Sequence, residues 1–207
     1  VMLIEVALAD QDEVSAAPPS LTFTNANWNT PQVVTVTGVD DAVADGDQIA
    51  GVSVRPSGAL SDPAFAVLAG QIISVTNSDN DAAGVTVTES DGSTAVTEGG
   101  PTDSFTVVLN SQPIADVSIA LTGLQVATGA PALTFTPANW NTAQTVTVVA
   151  IDDAVAEGTH AGSVSFAVTS ADAVYHGAAI APVSVTITDN DGAGITVTES
   201  DGSTAVT

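Results

Sequence analysis

The chain has no cysteine, no lysine and one arginine, Arg55, against 24 acidic residues. Without thiols no disulfide staples the fold, and any stiffening has another source. With a single cationic side chain the formal charge is −23, which excludes nucleic acid and anionic membrane as partners. Such a surface repels itself unless salt or bound cations screen it. Aromatic residues make up only 4% of the chain. No apolar run is long enough to span a membrane, and no secretory signal or transit peptide is present. Both ends fall inside a repeat, so that last absence does not bear on an address. No window carries a capped apolar stripe of helical period, so helices are not expected.

What is present is repetition. VTVTESDGSTAVT at 85–97 returns as ITVTESDGSTAVT at 195–207, and LTFTNANWNT at 21–30 returns as LTFTPANWNT at 133–142. VDDAVADGD at 39–47 returns as IDDAVAEGT at 151–159, and SDND at 78–81 as TDND at 188–191. The offset is 110 to 112 residues, the size of an ordinary domain rather than of a solenoid unit. The expected organisation is a first module over 1–81 lacking its opening strands, a complete module over 82–191, and the opening strands of a third over 192–207.

Hydrophobic residues are 44% of the chain, enough for a packed core in each module. They alternate with polar ones over short β-branched runs. In the complete module the alternating positions are Val85 and Val87; Phe105, Val107 and Leu109; Val117, Ile119 and Leu121; Leu133 and Phe135; Val146 and Val148; Val164, Phe166 and Val168; and Val183, Val185 and Ile187. About seven short strands in about 110 residues predict an all-β chain of tandem immunoglobulin-like antiparallel sandwiches. Trp28 and Trp140 recur in register beside a turn and are read as core plugs rather than sugar platforms.

The acids cluster at strand ends. In the complete module they are Glu98; Asp152, Asp153 and Glu157; and Asp189 and Asp191. In the first module they are Asp40, Asp41, Asp45 and Asp47, then Asp79 and Asp81. Strand ends of a sandwich gather at two poles, so distant segments can bring carboxylates together. Each Asp taken alone is explained by turn formation. The joint pattern, with no Lys or Arg nearby in sequence, favours a hard divalent cation with oxygen ligands. An acid–base pair lacks a shielded cleft and a second catalytic residue type. Glu89, Asp91, Glu199 and Asp201 are read as solvated turn residues. His160 and His176 have Gln48 and Ala66 as counterparts, which argues against either as a required ligand.

LTFTPANWNTAQTVTV followed by AIDDAVAEG, with VTITDNDGAG closing the module, resembles the Calx-beta domain. That is the sandwich module of sodium/calcium exchangers and of an integrin subunit. VTESDGSTAVTEGG is closer to the tandem arrays of bacterial surface and RTX-type adhesin proteins. The resemblance implies Ca²⁺ at the pole where one module hands over to the next. It implies as ligands Glu98, Asp152, Asp153, Glu157, Asp189, Asn190 and Asp191, and in the first module Asp40, Asp41, Asp45, Asp79, Asn80 and Asp81. The first module has no counterpart of Glu98, though Asp10, Asp12 and Glu13 lie in a loop that could contribute. The implied role is a non-enzymatic calcium-binding spacer of a long extracellular adhesin, with neighbouring modules of the same chain as partners. The alternatives are a glycan-binding adhesin module, and self-assembly into a homo-oligomer or filament by donation of residues 195–206 to the first module of a neighbour.

Overall fold

A computed structural model describes residues 1–199 and 202. The chain divides into two compact units, Val1–Ala82 and Ala83–Thr207. The first contains β1 (Met2–Leu8), β2 (Val14–Ala17), β3 (Ser20–Phe23), β4 (Thr35–Gly38), β5 (Gln48–Pro56), a single helical turn α1 (Pro63–Ala66) and β6 (Gln71–Asn77). The second contains β7 (Val85–Glu89), β8 (Thr94–Thr97), β9 (Asp103–Leu109), β10 (Val117–Leu124), β11 (Val126–Thr128), β12 (Ala132–Phe135), β13 (Gln144–Ala150), β14 (His160–Ser170) and β15 (Val183–Thr188).

The second unit is a two-sheet sandwich, with strand orders β12-β10-β14-β15-β8 and β11-β13-β9-β7. Alternation does the sorting. In β15, Val183, Val185 and Ile187 are buried while Ser184, Thr186 and Thr188 are exposed. In β13, Val146, Val148 and Ala150 point inward. A strand whose side chains alternate faces can bury one set and wet the other. The inner faces meet in one core that includes Phe105, Val107, Ile119, Phe135, Val164 and Ile187. Phe105 meets Phe166 edge to face at 5.8 Å. All seven expected strands form. Two more appear, β8 and β11, each with a single buried apolar residue, Val96 and Val126, and so without an apolar alternation. The pairing is antiparallel throughout this unit except that β8 runs parallel to β15, with Ile187 beside Val96 and Thr188 beside Thr97.

The strands β1 to β6 of the first unit correspond in order to β10 to β15 of the second. Its sheets are β3-β1-β5-β6 and β2-β4. Among the described residues nothing corresponds to β7, β8 and β9. Only Ile4, Val14, Ala50 and Val52 are buried apolar residues there. No strand pairs with the outer edge of β6 among the described residues, and Ile72 on it is 77% exposed.

This difference corrects the reading of Trp28. Trp140 packs against the core of its unit, and its carbonyl accepts from the N–H of Leu109 at the end of β9. Trp28 has no such strand beside it among the described residues and is 71% exposed. It borders a pocket of about 430 Å³ with Phe23 and Phe65.

The expected third-module strands fall in 192–207. No strand forms over residues 192–199, where Ile195 and Val197 are exposed. Residues 200, 201 and 203–207 lie outside the described residues, and with them part of the 195–206 segment. In the second unit the same sequence forms β7 by pairing with β9. Residues 192–199 join no sheet among the described residues.

Tyr175, fully buried, closes one end of the second unit. Its hydroxyl donates to the Ser111 carbonyl (2.7 Å) and accepts from the Ser111 N–H (3.0 Å). Replacing Tyr175 by Phe leaves both Ser111 backbone groups buried and unpaired. The expected cost is about 1–3 kcal/mol, read as a lower midpoint in chemical denaturation of the full chain.

Candidate metal centre

Topology gathers the acids of the second unit. Because β8 and β15 are parallel, their C-terminal ends emerge side by side. Glu98 follows β8, and its N–H donates to Thr188 O (3.0 Å) at the end of β15. Asp189 and Asp191 follow directly. β14 is antiparallel to β15, so its first residue, His160, arrives at the same pole opposite Ile187. The loop from β13 to β14 supplies Asp152, Asp153 and Glu157.

Glu98 is only 3% exposed. Its Oε2 is buried and has no hydrogen-bond partner. Ligand atoms of Glu98, Glu157 and His160 lie within 4.8 Å of one another, as do those of Glu98, Asp189 and Asp191. His160 Nε2 is 3.7 Å from Glu98 Oε1 and 3.6 Å from Glu157 Oε2. Burial pushes the Glu98 carboxyl above the usual carboxylate range, and the charges of Asp189 and Asp153 push it further; His160 partly opposes them.

Asp189 is held differently. It accepts the N–H groups of Asp191 (2.7 Å), Gly158 (2.6 Å) and Glu157 (2.6 Å), which hold its carboxyl below the usual range. The donating Gly158 has φ +69, and its counterpart Gly46, with φ +78, donates to Asp79 in the same way (2.7 Å). A side chain in this left-handed backbone would be strained, which explains glycine at both positions.

The other predicted residues flank this centre. Asn190 Nδ2 donates to Glu98 O and Asp152 Oδ1, both at 3.0 Å, so its nitrogen and not its side-chain oxygen faces the acids. Gly99 lets it approach, since a Cβ there would meet Asn190 Nδ2 at 2.9 Å. Asp153 accepts from the N–H of Val155 (2.7 Å) in a tight turn. Glu89 and Asp103 are structural. Glu89 accepts from Thr94 Oγ1, and Asp103 accepts from Ser90 Oγ, Ala95 N and Ser104 N.

In the first unit Asp40, Asp41, Asp45, Asp79, Asn80 and Asp81 line one pocket of about 190 Å³. Glu13 joins them, fixed by Asn77 Nδ2 (3.1 Å). Asp47 accepts the Asp79 N–H (3.1 Å). Asp10 and Asp12 are exposed and do not line the pocket. Burial, then the charges of Asp79, Asp40 and Asp41, raise the Asp81 carboxyl, whereas the N–H groups of Asp81 and Gly46 lower that of Asp79. Arg55 pairs across strands with Glu5 (3.3 Å) and does not line the pocket.

The residues fit a hard divalent cation. The donors are chiefly carboxylate oxygens, one of them buried and unpartnered, and no Lys or Arg offsets them. The sequence comparison argued against His160 as a required ligand, because the sister position holds glutamine; the structure places its Nε2 beside Glu98 and Glu157.

No family model and no curated protein matches the sequence. Similar solved structures include the periplasmic chaperone SfaE, 11% identical over 56% of this chain and 60% of that one, with TM-score 0.39. This chain thus spans less than two thirds of the chaperone's length. The apo form of the Calx CBD1 domain is 19% identical over 52% of this chain and 98% of that one, with TM-score 0.36. Domains 4 and 5 of the S-layer protein SbsC are 14% identical over 90% and 70%, with TM-score 0.35.

The buried carboxylate makes a signed prediction. A raised pKa means that the folded state binds the proton more tightly than the unfolded chain. Charged Glu98 therefore costs stability near neutral pH, and the cost fades as pH falls through its raised value. In chelator at pH 7, Glu98→Gln should melt a few degrees above the wild type, and the gap should close on acidification. Thermal melts of both proteins across that pH range check the sign.

Proposed function

We propose that this chain is a non-enzymatic, calcium-binding structural module of a long repetitive bacterial surface or secreted protein. The observation that carries the reading is Glu98. A carboxylate buried with one oxygen unpartnered, among further acids and with no Lys or Arg to offset them, is costly unless a cation neutralises it. Glu98, Asp189 and Asp191, with Glu157 beside them, would hold that ion in the second unit. In the first unit Glu13, Asp40, Asp41, Asp45, Asp79 and Asp81 would do so. Bound calcium supplies the positive charge that the sequence withholds, and at module junctions it would stiffen the array.

Extracellular calcium modules bind with Kd on the order of 10⁻⁴–10⁻³ M. At free ion about a hundredfold above Kd, each site adds roughly 2.7 kcal/mol to the folded state. Several such sites would be a large share of the stability of a domain this size. Calcium should therefore raise the melting temperature of the wild type well above its value in chelator, with magnesium less effective. In Glu98→Gln the calcium increment of the second unit should shrink sharply. A melt indifferent to calcium in the wild type would reject the reading.

The open edge of β6 favours a second reading, strand addition. In the second unit β15, the counterpart of β6, carries the TAVT strand on its outer edge, and TAVT recurs at 204–207. The same segment of a second copy would complete β6. Concentration-dependent dimers in sedimentation that disappear on removing residues 195–207 are expected from it, and a monomer at all concentrations rejects it. The exposure of Trp28 lends no comparable support to glycan binding, because it follows from the lack of a β9 counterpart.

A further inference from the structure

Among the differences between the two acidic centres, one changes the kind of donor atom. The first-unit pocket is lined by carboxylates, Asn side chains and backbone. In the second unit the position of Gln48 is taken by His160, whose side chain is largely buried. Its Nδ1 lies 3.0 Å from Gly158 O. The hydrogen bond requires the proton on Nδ1, because a carbonyl only accepts. Nε2 faces Glu98 Oε1 at 3.7 Å and Glu157 Oε2 at 3.6 Å. The Gly158 carbonyl and then the Glu157 and Glu98 charges favour the imidazolium, so Nε2 carries either a proton or a metal cation toward the two oxygens. The proton leaves Glu98 Oε2 unpartnered. Fixing one ring nitrogen on a backbone carbonyl is also how proteins orient an imidazole toward a metal.

We propose that Glu98, Glu157 and His160 form a site for a borderline divalent cation of the zinc type, in the second unit and not in the first. The three ligand atoms lie within 4.8 Å of one another, a spread that a cation with bonds of about 2.0–2.2 Å can gather with small side-chain movement. Imidazole nitrogen suits zinc, cobalt and nickel, whereas calcium takes oxygen. Oε2 of the same buried carboxylate has no partner, the independent sign that a ligand belongs at this pole. Glu98 is also shared with the Asp189 and Asp191 group, so the softer ion would sit beside, or displace, the calcium proposed above. The inference rests on that reading only in using the same pole.

The test is calorimetric titration of the metal-stripped full chain with zinc and, separately, with calcium. The proteins compared are the wild type, His160→Gln and Glu157→Gln. His160→Gln installs the residue that the first unit already carries. It should weaken the tightest zinc event by about tenfold or more and leave calcium affinity within about twofold. Glu157→Gln should also weaken zinc. Cobalt(II) should give a visible ligand-field band in the wild type that His160→Gln loses. The chain has two histidines, so imidazole nitrogen resonances of the unmutated protein provide a readout that does not depend on a variant folding. Zinc should shift His160 and spare His176. Equal zinc affinity in wild type and His160→Gln, or an unmoved His160 resonance, overturns the zinc site. Absence of calcium binding with the His160 zinc effect intact overturns the calcium reading alone.

Discussion

Like charges are forced together at one end of each unit, and the rest of the molecule is arranged around that constraint. The sandwich cannot avoid it. Parallel pairing of β8 with β15 delivers Glu98 beside Asp189, and the β13–β14 loop adds Asp152, Asp153 and Glu157. Backbone N–H groups relieve part of the repulsion at Asp189, and the Asn190 amide relieves part at Asp152. Neither reaches Glu98 Oε2. Among the described residues no Lys or Arg side chain meets it either, and the raised Glu98 carboxyl records the cost.

The two units solve the same problem with different residues. Glu13 lines the first pocket, while the corresponding position in the second unit is Gln125, held at φ 61. Asn77 steadies Glu13 at the end of β6, where β15 has the buried Ile187 packed in the core. Each unit thus lacks an acid that the other has. The second buries its extra carboxylate beneath β8; the first, with no β8 counterpart among the described residues, draws its own from the loop before β2. A third difference, His160 in the place of Gln48, puts an imidazole where the first unit has an amide side chain.

Much of this was legible in the sequence where a signal is repeated or periodic. The seven strands with alternating Val, Ile, Leu and Phe all form, and the acids of the IDDAVAEG and TDND segments do converge. The strands β8 and β11 escaped notice because each buries a single apolar residue, Val96 and Val126, so no apolar alternation shows. Trp28 misled because identical local sequence does not guarantee identical burial. Its counterpart Trp140 lies beside β9, a segment far off in the chain. The closeness of His160 to Glu98 and Glu157 was not legible, because it depends on which strand ends meet at the pole.

The amino-acid order alone determined the all-β character, the module period, the strand alternation and the excess of negative charge, since these depend on local pattern and composition. Only the tertiary structure decided which carboxylate is buried without a partner, that β8 runs parallel to β15, and that an imidazole points at two acids. Those facts depend on which strand ends meet at a pole, and segments as far apart as Glu98 and Asp189 meet only once the sheets have packed.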